Sequence, residues 1–215
     1  MQYISIVDQY VKARYEFFKW RYISAFMQKI ALAFGVACAI GLLAQIKFYL
    51  PWTPIPVTMQ TFGVLLAGIL LGGTFGGIGL AIYITLGVAG VPWFVGLAGG
   101  FSVLVGPTGG FLVGFMLAAM FIGYVAERFV KTRHFLPIFI LLFFANIVLI
   151  YVPGLLQLGI WLHLSNVSDV TVLKLIDMGV VPFVLGDIVK ILLAAMLAKI
   201  IAPYSSKKDS CGVKQ

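Results

Sequence analysis

Residues 48–125 contain no Asp, Glu, Lys or Arg, and three Gly/Pro/Thr-rich patches lie among them: residues 54–68 (PIPVTMQTFGVLLAG), 87–100 (GVAGVPWFVGLAGG) and 106–115 (GPTGGFLVGF). A neutral run of this length is too long for one buried helix of a soluble domain. It belongs in lipid. Polar and glycine-rich backbone is tolerated at membrane depth only where protein encloses it or where it lines a cavity. The stretch therefore predicts an integral membrane protein with a binding cavity.

Composition agrees. The chain is 62% hydrophobic and 10% charged, against roughly 25% charged in soluble domains. The formal net charge of +8 reads as membrane orientation rather than nucleic-acid binding. Six apolar spans are predicted, at about 26–46, 59–72, 75–90, 108–126, 135–158 and 181–201. Three basic groups then fall on one side: Lys12 to Lys29, Arg128 to Arg133, and Lys199 to Lys214. Only Lys47 and Lys174 fall on the other. This satisfies the positive-inside rule with both termini cytoplasmic. The predicted fold class is an all-α integral membrane protein, a six-helix bundle with glycine-rich outer loops. Residues 1–25 form a basic arm with amphipathic character, 26–202 the membrane domain and 203–215 a polar basic tail. The arm mixes bases with aromatics and has no signal-peptide cleavage pattern. Cys38 and Cys211 are not expected to meet or to bind metal.

Gly68, Gly72 and Gly76 recur every fourth residue, as do Gly73 and Gly77, and Gly110 and Gly114. This spacing predicts close helix packing in lipid. Span one carries two small faces, Ala33/Ala37 and Gly35/Ala39, suited to internal packing or to another membrane protein. GPTGG lacks the Gly-Lys-Ser/Thr ending of a phosphate loop, so uphill transport would need an ion gradient or partner subunits.

In this topology the elaborate loops gather on the outer face, where long ordered loops serve as lids or binding walls. Trp52 reads as an interfacial anchor. Trp93 and Phe94, set among glycines, read as the wall of a pocket. Thr58, Gln60, Thr61, Ser102 and Thr108 supply neutral hydrogen-bonding groups. Span six holds Asp187 and Lys190 three residues apart, on one helix face. Lys190 lies ~13 Å from the outer end of the span, near the midplane of a ~30 Å core. A lysine there costs ~2.5–3.5 kcal/mol on insertion scales. The pair is either a self-neutralising packing contact or, as preferred here, the polar floor of an outward cavity. In that reading Lys190 holds a ligand carboxylate, and Asp187 orients it or accepts a ligand N–H. Asn146 and Tyr151 in span five are expected to form interhelical hydrogen bonds, with Tyr151 also a ligand candidate. No second buried acid, histidine or nucleophile accompanies Asp187, which argues against an enzyme.

PIPVTMQTFGVLLAGILLGG, then GVAGVPWFVGLAGGFSVLVGPTGGFLVGF, then VPFVLGDIVK resemble the BioY family, the biotin-binding S components of energy-coupling-factor (ECF) transporters. The resemblance runs from about residue 31 to 202. It implies high-affinity biotin uptake across a prokaryotic-type cytoplasmic membrane. It also implies an ECF transmembrane T component and two ATPase subunits as partners, with ATP used only there and no cofactor on this chain. Carried over by motif, it places Gln60, Thr61, Trp93, Phe94, Gly96, Gly99, Gly100, Thr108, Asp187 and Lys190 around the ligand. Many relatives carry Asn or Gly where this chain has Gly96, which here offers no side-chain donor. Ala33 and Ala37 resemble the alanine pattern that contacts the T component. The alternative reading is an S component or small transporter for another carboxylated vitamin, such as lipoate.

Overall fold

In the computed structural model, residues 23–167 and 170–202 are described continuously, with scattered positions between 9 and 20. The expected N-terminal arm, the C-terminal tail and Cys211 lie outside the continuous part. The chain is mostly helical. Helix α1 is Phe26–Gln45, α2 Gln60–Val88, α3 Phe101–Val105 and α4 Gly109–Arg128. Helix α5 is Phe135–Phe144, α6 Tyr151–Leu164, α7 Val172–Gly179 and α8 Val181–Ile201. A π-helical segment, Ala145–Ile150, joins α5 to α6. A two-stranded ribbon, β1 Lys47–Phe48 and β2 Val57–Thr58, closes the loop between α1 and α2, with Lys47 opposite Thr58. The elements predicted from the sequence include no strand there.

Five elements are long and apolar enough to cross a membrane: Phe26–Gln45, Gln60–Val88, Gly109–Arg128, Phe135–Leu164 and Val181–Ile201. The separately expected spans 59–72 and 75–90 are the two arms of α2. The arms fold back on each other at Gly72, whose φ of 79° and ψ of 178° break the helix. The Gln60 Nε2 donates to Tyr83 Oη at 2.9 Å, whereas a straight helix would part these residues by ~35 Å. Glycine suits the bend because a Cβ is disfavoured at positive φ. A Cβ at Gly72 would also strike the Glu127 carboxylate. Glu127 accepts from the Gly73 N–H at 3.4 Å, placing a negative group where the second arm begins and its amide groups lack helical partners.

Glycines set the helix spacing. Gly68 meets Ala119 O, Gly73 meets Met120 O and Tyr124 N, and Gly123 meets the backbone of Gly72 and Gly73. The α2 hairpin therefore packs on α4 backbone to backbone. On the other side of α4, Gly110 lies against Pro153 O, and Gly114 against Leu149 O and Ile150. Pro153 has no N–H to give Leu149, and its ring crowds that carbonyl. The wide π turn at Ala145–Ile150 relieves this conflict, and glycine on α4 makes room for it.

Large apolar side chains point outward, Leu42 (73% exposed) and Leu185 (80%) among them, while Ala118, Ala119, Ala194 and Ala195 are buried. With lipid outside, close packing of small residues holds helices together. Ala33 and Ala37 follow this rule and correct an expectation. Both are fully buried, and a Cβ on Gly79 of α2 would stand 3.0 Å from Ala33 O. That face is consumed inside the bundle, because the glycines of the second arm let α1 approach. The outward small face of α1 carries Ala31, Gly35 and Ala39.

Gly123→Ala should lower the melting temperature of the detergent-solubilised protein, because overpacking a tight contact costs about 1–3 kcal/mol. Gly35→Ala, with nothing within 4 Å of the added atom, should leave it unchanged or raise it slightly. Equal melting temperatures for both variants would show that the α2–α4 contact yields more easily than the backbone spacing implies.

Candidate functional site

The helix ends nearest the loops at 46–59 and 89–108 surround a pocket of about 320 Å3, within the size range of small-molecule sites. Its floor is the Asp187/Lys190 pair on α8, both nearly inaccessible to solvent. Lys190 Nζ donates to Asp187 Oδ1 at 2.7 Å. The other carboxylate oxygen accepts from Tyr151 Oη at 2.6 Å and Asn146 Nδ2 at 2.8 Å. The two residues from the π–α6 junction thus make the interhelical bonds expected of them. Asp187 has a donor on each oxygen. An ammonium has three protons, and Asp187 is the only hydrogen-bond partner of Lys190 among the described residues. Lys190 lines the pocket with donors to spare.

The walls are neutral. Thr58, Gln60, Thr61, Ser102 and Thr108 line one part, and Phe94, Phe111, Phe115, Tyr151 and Phe183 supply apolar surface. Gln60 is held in place from two sides. Its Oε1 accepts from Thr58 Oγ1 at 3.2 Å, and its Nε2 donates to Tyr83 Oη. Phe111 and Tyr151 meet edge to face across α4 and α6, with ring centroids 6.4 Å apart. Loop residues Tyr49, Pro54, Ile55 and Pro56 complete the rim. Thr53 Oγ1 ties this rim to α7 by donating to Met178 O at 2.7 Å.

Of the expected site residues, Gln60, Thr61, Phe94, Thr108, Tyr151, Asp187 and Lys190 come together at the pocket. Trp93, Gly96, Gly99 and Gly100 do not line it. Trp93 turns its indole N–H to Tyr83 O at 2.9 Å and rests on Gly41, behind the wall. Gly96 and Gly100 have φ of 78° and 99°, and Gly99 lies against Val91 O. These glycines shape the loop that carries Phe94 inward. Tyr83, Phe111, Phe115 and Phe183 are pocket residues absent from the expected set. A lone tyrosine in an otherwise apolar span was the available signal for Tyr83. The phenylalanines looked like ordinary lipid-facing or core residues.

The described residues contain no group of three or more His, Cys, Asp or Glu able to hold a metal. The arrangement can receive a small molecule with an apolar body, neutral hydrogen-bonding groups and one anionic end. These features define a multi-pass membrane bundle around a neutral-walled pocket with one ion pair at its floor. Comparison with known proteins narrows the class. The sequence model of the BioY family matches residues 13–207, and the chain belongs to that family. It is 44% identical over 138 residues to the "Probable biotin transporter BioY" of Methanothermobacter thermautotrophicus, covering 64% of this chain and 88% of that protein. It is 38% identical over 149 residues to the "Biotin transporter BioY" of Thermotoga maritima, covering 69% and 82%. A crystal structure of "the S-component for biotin from an ECF-type ABC transporter" superposes with a TM-score of 0.71 at 20% identity, covering 80% of this chain and 89% of that one. It shares the fold.

Asp187→Ala should prevent recovery of folded protein, since an unpartnered buried charge costs about 3–5 kcal/mol. The double variant Asp187→Ala/Lys190→Met should restore a monodisperse peak in size-exclusion chromatography. If the single variant elutes like wild type, Lys190 is not held by Asp187.

Proposed function

We propose that this chain binds biotin and takes it up across the cytoplasmic membrane as the substrate-specific component of an ECF transporter. The observation that carries this reading is Lys190, an ammonium with unused donors at the floor of a pocket whose walls are neutral. Biotin offers one carboxylate, a ureido group and an apolar bicyclic ring. The carboxylate goes to Lys190. The neutral Thr and Gln side chains serve the ureido group, and the phenylalanines cover the ring. The two neutral donors on Asp187 Oδ2, Tyr151 and Asn146, support this assignment, because they stay in place when Lys190 turns a free proton to the ligand. The names of the relatives at up to 44% identity support biotin over another carboxylated vitamin.

In this reading the chain crosses the membrane six times, each arm of α2 counting once, with both termini cytoplasmic. The basic clusters at Arg128 to Arg133 and at the two ends of the chain support that orientation. A T component with two ATPase subunits would supply the energy, as this chain has no nucleotide motif. Such a partner would use an outward face, and the small one at Ala31, Gly35 and Ala39 supports close helix contact.

Lys190→Ala should weaken biotin by about 10- to 150-fold, the equivalent of one charge-assisted hydrogen bond, and barely affect biotin methyl ester. Calorimetry on purified protein checks this, and equal losses for both ligands would reassign the lysine. A vitamin panel in which lipoate, and not biotin, raises the melting temperature would overturn biotin itself. Replacing Gly35 and Ala39 with Leu should spare binding and reduce uptake in cells. Unchanged uptake where an ECF module is required would move the partner contact elsewhere.

A further inference from the structure

Phe94, Val95 and Ala98 line the pocket, and they belong to one tight turn, closed where the Phe94 N–H donates to Ala98 O at 3.0 Å. The turn is strained. Leu97 has a φ of 58°, a region that disfavours any residue with a Cβ. Its side chain is 67% exposed, so burial does not hold it there. What holds it is Gln45, the last residue of α1. The Leu97 N–H donates to Gln45 Oε1 at 3.1 Å. The Gln45 Nε2 donates to Phe94 O at 3.0 Å and to Trp93 O at 3.3 Å, and shares the remainder with Gly41 O at 3.1 Å. One neutral side chain from a different helix therefore grips the turn on both its strands. Strained backbone that the surroundings over-determine is characteristic of clamps and switches.

We propose that Gln45 is a positioning residue that latches the Phe94–Ala98 turn over bound ligand, and that release of this latch opens the pocket. Breaking the Gln45 contacts frees Leu97 to leave the left-handed region, and Phe94 moves with it. The latch contains no charge, so salt does not weaken it. Because Gln45 ends α1, a displacement of α1 displaces the latch. The inference rests on the proposed reading of the pocket as the biotin site.

The test uses the full chain in nanodiscs. Gln45→Glu keeps the acceptor for Leu97 and points a carboxylate at the two carbonyls; Gln45→Ala removes both contacts. Biotin dissociation, followed by chasing labelled with unlabelled biotin, should quicken about ten-fold in both variants. The association rate and the melting temperature without ligand should stay near wild type. Amide exchange of Leu97, measured without ligand, should also quicken. Unchanged dissociation from a biotin-binding variant overturns the latch. If wild type binds no biotin, the functional reading fails, and exchange at Leu97 still decides: faster in Gln45→Ala supports the latch, unchanged overturns it. If Gln45→Ala is not recovered folded, Gln45→Asn, whose amide cannot reach as far, takes its place with the same outcomes.

Discussion

The carboxylate of Asp187 is the point on which the membrane domain turns. It accepts from Lys190 on its own helix and from Tyr151 and Asn146 on the neighbouring one. Both neighbours must face α8, and the π segment gives them that phase. The π segment follows from Pro153 and needs Gly110 and Gly114 of α4 beside it. Helix α4 in turn meets the α2 hairpin through Gly123. A chain of close backbone contacts thus ends at one carboxylate. Polar groups this deep are held chiefly by partners within the protein, although the buried Asn146 Oδ1 has none among the described residues.

Charge and neutrality are divided between floor and wall. The formal charges lining the pocket are confined to the α8 pair, and neutral polar, aromatic, aliphatic and proline residues cover the rest. Such a lining suits a ligand with a single anionic group, the remainder being matched by shape and by a few neutral hydrogen bonds. A second charge on a ligand would meet no partner in the wall.

Membrane residence and the polar floor were legible in the sequence because charges are so scarce. Asp187 and Lys190 stand out in an apolar span, and geometry then unites them with Tyr151, Thr108 and Gln60. The glycine spacing likewise foretold close packing, since only small residues allow it. The direction of faces was not legible. Ala33/Ala37 and Gly35/Ala39 are equally small, and what selects between them is the position of Gly79 on another helix. Trp93 and Phe94 are neighbours of similar chemistry, and the turn between positive-φ glycines sends only Phe94 into the pocket. The π segment depends on a proline–carbonyl conflict that periodicity does not register. The ribbon at Lys47–Phe48 is too short to leave a pattern.

The hairpin at Gly72 also sets how the protein sits in a bilayer. Its first arm, residues 60–71, is about 18 Å long and its second about 24 Å, both short of a ~30 Å hydrocarbon core. Helices shorter than the core are accommodated by local thinning of the lipid around them. Thinning beside α2 would bring headgroups and water closer to the level of Gln60 and the pocket rim. Acyl-chain length in the host membrane thereby bears on how far the pocket rim stands from water.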